Sequence, residues 1–166
     1  MNSFLLRVES TGIATWIRED GSWWAYPTWT TVHTFGMGII VGVSTVVALR
    51  LLGFAPTLPL ASLKKLYPTM YFGFVINLIS GTGMLMAGAV HLALHPLFLT
   101  KIACVFAAVG ILRVLQVKLF RDPELGTKPI DTRSKVLAWS VMSLWLVGMI
   151  AGRLIAYTFT ESNLTP

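Results

Sequence analysis

Four stretches of the chain run for about twenty residues or more with few charges, and polar turn formers separate them. A helix needs about 20 residues to cross a hydrocarbon core, and the apolar runs at 29–49, 67–90, 97–119 and 136–157 meet that length. Pro56 and Pro59 mark the first connection, Pro96 makes the second very short, and Arg121, Asp122, Pro123, Glu124, Leu125 and Gly126 begin a polar third one. Upstream, Leu5, Val8, Gly12, Ile13, Trp16 and Ile17 follow helical spacing, with Arg7, Glu9, Arg18 and Glu19 largely elsewhere on the wheel. Trp23, Trp24, Tyr26 and Trp29 then crowd the approach to the first span, where their amphipathic rings suit the headgroup level. The pattern predicts an all-α membrane protein, a four-transmembrane-helix bundle with an N-terminal amphipathic interfacial helix. Residues 1–28 form the interfacial segment of a single domain over 1–166.

Composition supports this class. The 166 residues are 55% hydrophobic and only 12% charged, about half the charge of a soluble domain. Thirteen basic against seven acidic residues give a net charge of +6, but no polar basic domain or motif accompanies them, so nucleic acid is not the expected partner. In a membrane chain such an excess sets topology and meets anionic lipid. Arg50, Lys64, Lys65, Arg113, Lys118, Arg121, Lys128, Arg133 and Lys135 belong to the side of the first and third connections, leaving Arg7, Arg18, Lys101 and Arg153 for the other. The positive-inside rule then makes both termini periplasmic in a multi-pass protein of a bacterial inner membrane. Met1 to Leu6 lack a basic start leading into a sustained apolar core, so no removable signal peptide is expected.

The polar residues that interrupt the spans carry the candidate chemistry, because charged and imidazole groups in lipid usually line a site. At about 1.5 Å per residue, His33 lies about 6 to 9 Å inside the outer end of the first span, and His91, Lys101 and Arg153 each about 6 to 7 Å from theirs. Four helices contributing to one depth suggest one enclosed site. Neutral imidazole binds haem iron, and Lys101 and Arg153 could pair with its propionates. His33 and His91 are therefore the expected axial ligands of a single haem b. Met37, one turn from His33, and His95, at the surface beside Pro96, are lesser candidates, and Trp24 and Trp29 would wall the site. The two cations also suit a quinone oxygen or a lipid headgroup.

Asn77, Gly81, Met84, Gly88 and His91 recur at spacings of four and three, a seam that could admit a flat macrocycle or simply a neighbouring helix. Gly36, Gly38 and Gly42, and Gly148 and Gly152, offer the same on the first and fourth spans. Zinc or copper is less well served: His91 and His95 have i, i+4 spacing, but no carboxylate or second thiolate lies nearby. Cys104, the one cysteine, excludes a disulfide within the chain and reads as a small buried apolar residue. Ser80 and Thr82 have no base at their depth, and Ser80-Gly81-Thr82-Gly83 has no phosphate-loop lysine. With no acidic residue inside any span, an ion-coupled carrier lacks its usual carboxylate.

Trp24-Ala25-Tyr26-Pro27, Val32-His33-Thr34-Phe35-Gly36, Leu49-Arg50-Leu51-Leu52-Gly53, His95 through Lys101, and Ala151-Gly152-Arg153-Leu154-Ile155-Ala156-Tyr157 occur in that order. Together they resemble an uncharacterised family of small bacterial inner-membrane proteins with four helices. The resemblance covers nearly the whole chain, implies His33, Lys101 and Arg153 as signature positions, and brings no activity with it. The architecture is also similar in kind to four-helix membrane cytochromes b, without the paired histidines of their two-haem forms. The leading expectation is a single-haem or quinone-interacting electron-transfer subunit, working near the periplasmic face with a redox partner or larger membrane complex. The alternative is a cofactor-free assembly or scaffold subunit binding lipid at the polar cluster. Either fits an accessory subunit better than a stand-alone enzyme.

Overall fold

The computed structural model describes residues 2–121 and 130–162. The expected polar turn at Asp122, Pro123, Glu124, Leu125 and Gly126, and Lys128, lie outside the described residues. Two short helices come first, α1 (Asn2–Glu9) and α2 (Gly12–Glu19), then the long α3 (Tyr26–Leu52). A short α4 (Leu60–Leu63) and a 3-10 turn (Lys64–Leu66) lead into α5 (Tyr67–Ala87). The one-turn α6 (Ala89–Leu92) precedes α7 (Pro96–Arg121) and α8 (Thr132–Ser162). No strand occurs among the described residues, and four helical stretches there are long and apolar enough to cross a membrane: Tyr26–Leu52, Leu60–Ala87, Pro96–Leu119 and Thr132–Thr158. The chain is thus an all-α, multi-pass membrane protein, as its hydrophobic pattern predicts.

The chain divides into two compact units, 1–40 with 70–96 and 41–69 with 97–166. In the first, α3 and α5 run antiparallel with their backbones in close approach. A Cβ added to Gly36 would fall 2.9 Å from the Asn77 amide nitrogen, and one added to Gly73 would fall 2.9 Å from Ile39 Cβ and 3.1 Å from the Gly36 carbonyl. One turn or more away, the Trp29 ring covers Gly83 closely enough to forbid a side chain there. Without a hydrophobic drive between helices in lipid, such contact is how dispersion holds a membrane pair together.

In the second unit the buried positions of α7, Val105, Ala108, Leu112, Leu115 and Leu119, recur at spacings of three and four. On α8, Ser134, Ala138, Val141, Trp145, Gly148 and Ala151 do the same. That heptad-like spacing keeps one stripe of each helix facing inward. Contacts near both ends of α8 fix an antiparallel register: Gly148 meets Cys104 and Gly152 meets Lys101, while Lys118 reaches Ser134 and Asp131.

Two polar devices finish this unit. Arg50 Nε donates to the Leu58 carbonyl at 2.6 Å and its Nη2 to the Pro56 carbonyl at 3.1 Å, fastening the loop after α3. Gly53, at φ +104°, makes the left-handed turn that lets Phe54 N–H bond back to the Leu49 carbonyl at 3.0 Å. Before α8, Asp131 accepts from Lys118 Nζ at 2.6 Å and from Ser134 Oγ at 2.7 Å, an N-cap reinforced by an ion pair. Lys118 above all, then Ser134, hold the Asp131 carboxyl at about 2.

Gly73→Ala should lower the thermal midpoint in detergent, by overpacking worth about 1 to 3 kcal/mol. Gly110→Ala, where an added Cβ meets nothing within 4 Å, should be neutral or slightly stabilising; equal losses would disprove the close-approach account. Because the Asp131 pKa is depressed from 3.8 to about 2 when folded, its contribution is complete above the unfolded value and fades as pH falls between the two. Asp131→Asn should therefore lower the unfolding midpoint at pH 7, and the gap to the parent should narrow as pH falls from 5 towards 2.

Candidate functional site

The candidate residues fall in both units: Trp24, Trp29, His33, Met37, His91 and His95 in the first, Lys101 and Arg153 in the second. His33 is half-buried on α3, facing α5. Ser80 Oγ donates to the Ile76 carbonyl at 2.7 Å and lies 3.1 Å from His33 Nδ1. A hydroxyl has one proton to give, so the short bond to Ile76 assigns Nδ1–H as donor to Ser80 and leaves Nε2 as the basic nitrogen. The imidazole edge rests on Gly81, 3.1 Å from where a Cβ would stand. Asn77 Nδ2 donates to the His33 carbonyl at 3.1 Å, so both the side chain and the backbone of His33 are tied to α5.

This register changes the expected depths. His33 lies level with Ser80 and Gly81, and α5 runs six residues further, about 9 Å of helical rise, to its end at Ala87 before the chain reaches His91. Nor does one helix connect them. The second span was expected to continue to Val90 with His91 on its seam; instead α5 ends at Ala87, Gly88 takes φ −140° and ψ 40°, and α6 begins at Ala89. Glycine is a poor helix former, and here it allows the ladder to stop. His91 is exposed on α6, and His95 is half-buried in the turn before α7. Met37 is half-buried one turn along α3 from His33. Among the described residues, no three or more His, Cys, Asp or Glu groups come together to hold a metal ion.

The glycines of α5 are occupied too: Gly81 by the His33 ring, Gly83 by Trp29, Gly73 by Ile39. Of the two occupants the seam could admit, a macrocycle or a neighbouring helix, it is the α3 helix that lies against Gly73 and Gly81. The two tryptophans expected to wall one site also part company, since Trp29 packs on Gly83 while Trp24 is 75% exposed in the turn before α3.

The break at Gly88 reveals residues that the sequence pattern did not single out. Helix ends leave carbonyls and amides unsatisfied, and here an ion pair supplies both. Arg18 Nη1 donates to the Ala87 carbonyl at 3.3 Å, and Glu9 Oε2 accepts the Val90 amide at 3.0 Å. Glu9 and Arg18 also bond each other at 2.9 Å, and Arg18 holds Glu19 at 2.9 Å. The carboxylate sits at the N-terminus of α6, where the backbone favours negative charge. α1 packs against α6 through this clasp.

The interfacial segment is accordingly two helices, not one, and its faces differ from the expected wheel. Ala14 and Ile17 are buried and Leu5 and Val8 half-buried, but Ile13 and Trp16 face outward with Phe4 and Leu6. With Trp23, Trp24 and Tyr26 they form an exposed apolar collar, of the kind that lies in the headgroup layer. A carboxylate contact some eighty residues away leaves no trace in a periodicity; a charged pair on the polar face of an amphipathic helix reads as solvated.

In the second unit, half-buried Lys101 lays its stem over Gly152: Cδ, Cε and Nζ lie 3.3, 3.5 and 3.5 Å from where a Cβ would be. Arg153, the next residue, is exposed. These two expected partners do fall at one level of one unit.

No family model, curated protein or solved structure matches the chain.

Glu9→Gln should weaken the clasp without altering the spans. Hydrogen exchange in detergent should speed up at Val90 and along α1 while α7 and α8 keep their protection; unchanged exchange at Val90 would show the carboxylate to be dispensable there.

Proposed function

We infer that the chain is a cofactor-free accessory subunit of the membrane, a scaffold or assembly component with lipid as its ligand. One observation carries this reading: the close-approach glycines between α3 and α5 are filled by His33, Trp29 and Ile39. The imidazole is then a polar lock, tied to Ser80 within the span, as buried polar groups often are between membrane helices. The exposed collar of Phe4, Leu6, Ile13, Trp16, Trp23 and Trp24 fits anchoring at an interface. The bias of basic residues towards the first and third connections supports periplasmic termini in a bacterial inner membrane. Partner subunits in the membrane are part of this reading.

A second reading has its own support. Histidines that bind iron commonly donate Nδ1–H to an oxygen, which orients the basic Nε2 towards the metal, and His33 is held in that tautomer by Ser80. A single haem b on His33, with electron transfer to a redox partner or a quinone, would use that nitrogen. A low-spin, six-coordinate iron would need a second axial ligand besides His33.

An absorption spectrum of the full chain in mild detergent separates the two. The scaffold reading expects a colourless, folded preparation without stoichiometric quinone in its lipid extract. His33→Ala should then lower the thermal midpoint through the lost lock, a cost of about 1 to 3 kcal/mol. A Soret band with sharp reduced α and β bands, abolished in His33→Ala, would establish the electron carrier instead.

A further inference from the structure

We propose that Glu9 and Arg18 form a salt-sensitive strap: closed, it keeps α5 short, and when it opens α5 runs on through Gly88 to Leu92. The hinge is a single residue. Gly88, at φ −140° and ψ 40°, is the one position between α5 and α6, and both torsions are about 80° from helical values. Helical bonding resumes at once beyond it. The Leu92 amide meets the Gly88 carbonyl at 2.9 Å, and the Ala93 amide meets the Ala89 carbonyl at 3.1 Å.

The two states compete for the same backbone groups. In an unbroken helix the Val90 amide would bond the Met86 carbonyl, and the Ala87 carbonyl would receive the His91 amide. In the closed state Glu9 Oε2 takes the Val90 proton at 3.0 Å, and Arg18 Nη1 occupies the Ala87 carbonyl at 3.3 Å. An amide has one proton, so Val90 serves either the strap or the helix. Meanwhile the Gly88 amide, 3.2 Å from the Leu85 carbonyl, closes the last turn of α5 in the tighter 3-10 manner. By linkage, whatever favours the unbroken helix loosens α1, and whatever screens the strap lengthens α5. Screening is effective here because the Arg18 and Glu9 side chains are 38% and 18% exposed. Opening adds residues 88–92 to α5, about 7.5 Å of rise. It also carries His91 onto the helix face shared by Asn77 and Gly81, where α3 rests. The membrane-length stretch up to Ala87 is common to both states.

Nuclear magnetic resonance of the full chain in detergent micelles reads both ends of this linkage. The Cα shifts of Gly88 and Ala89 report the hinge, and relaxation of the α1 amides reports docking. Raising the ionic strength from about 0.01 M to about 1 M shortens the screening length from about 30 Å to about 3 Å. The Cα shifts should then move towards helical values as α1 becomes mobile. Glu9→Gln should raise the open-to-closed ratio about fivefold at low salt, the difference between a charged and a neutral acceptor. Gly88→Ala touches neither charge, and an added Cβ there meets only Leu92, with Cδ1 at 3.3 Å. The helix preference of alanine over glycine should still open the strap about fivefold. The rejoined turn is a helix end and frays, so Val90 exchanges faster there than under Glu9. Release of α1 with unchanged Gly88 shifts would show the break to be independent of the strap and overturn the proposal. A Gly88→Ala chain with α1 still docked, or a hinge indifferent to salt, would overturn it as well. The salt titration needs no substitution, so the test stands even where a variant does not fold.

Discussion

Hydrocarbon offers no hydrogen bonds, so a membrane chain that interrupts a helix must supply partners for the backbone it frees. At Gly88, just past the membrane-length stretch that ends at Ala87, the Ala87 carbonyl and the Val90 amide freed by the break find Arg18 and Glu9. The remainder of the first unit follows from that arrangement. Because α6 is held against α1 rather than continuing α5, the two amphipathic helices are fixed by charge on one side. Their exposed aromatic and aliphatic residues are left for the membrane surface.

Below the break the organising force changes from charge to shape. Gly36 and Gly73 bring two backbones together, and Trp29, His33 and Ile39 fill the neighbouring recesses. His33 fits this scheme as both a packing element and a polar one, since its ring edge rests on Gly81 while Nδ1–H engages Ser80. The second unit repeats the principle with other residues. Gly148 and Gly152 admit Cys104 and Lys101, and the inward stripes of α7 and α8 hold register down to the Lys118–Asp131 pair.

The spans were legible because length and hydropathy depend on neighbouring residues alone: three stretches appear within four residues of their expected ends, and the second begins seven residues earlier than expected, at Leu60. Proline gave the connections for the same local reason: Pro56 and Pro59 lie between α3 and α4, and Pro96 opens α7. The depth of His91 was not legible. Counting back from Pro96 assumes one straight helix, and the stop at Gly88 depends on Glu9, whose influence no window around residue 88 contains. The glycine seam of α5 was read correctly as a line of close approach, but what approaches it is decided by the register with α3. Lys101 and Gly152 illustrate the same limit in reverse: each was visible as unusual, yet their contact belongs to the pairing of two helices fifty residues apart.

The Glu9–Val90 bond also imposes a chronology. Its partners are separated by 81 positions, and ribosomes add about 5 to 20 residues each second. The amphipathic pair is therefore born roughly 4 to 16 seconds before its docking point exists. In that interval the apolar faces of α1 and α2 have no docking point on the chain, because α6 has not yet been made. Insertion of the second span, rather than emergence of the first helices, completes the N-terminal collar.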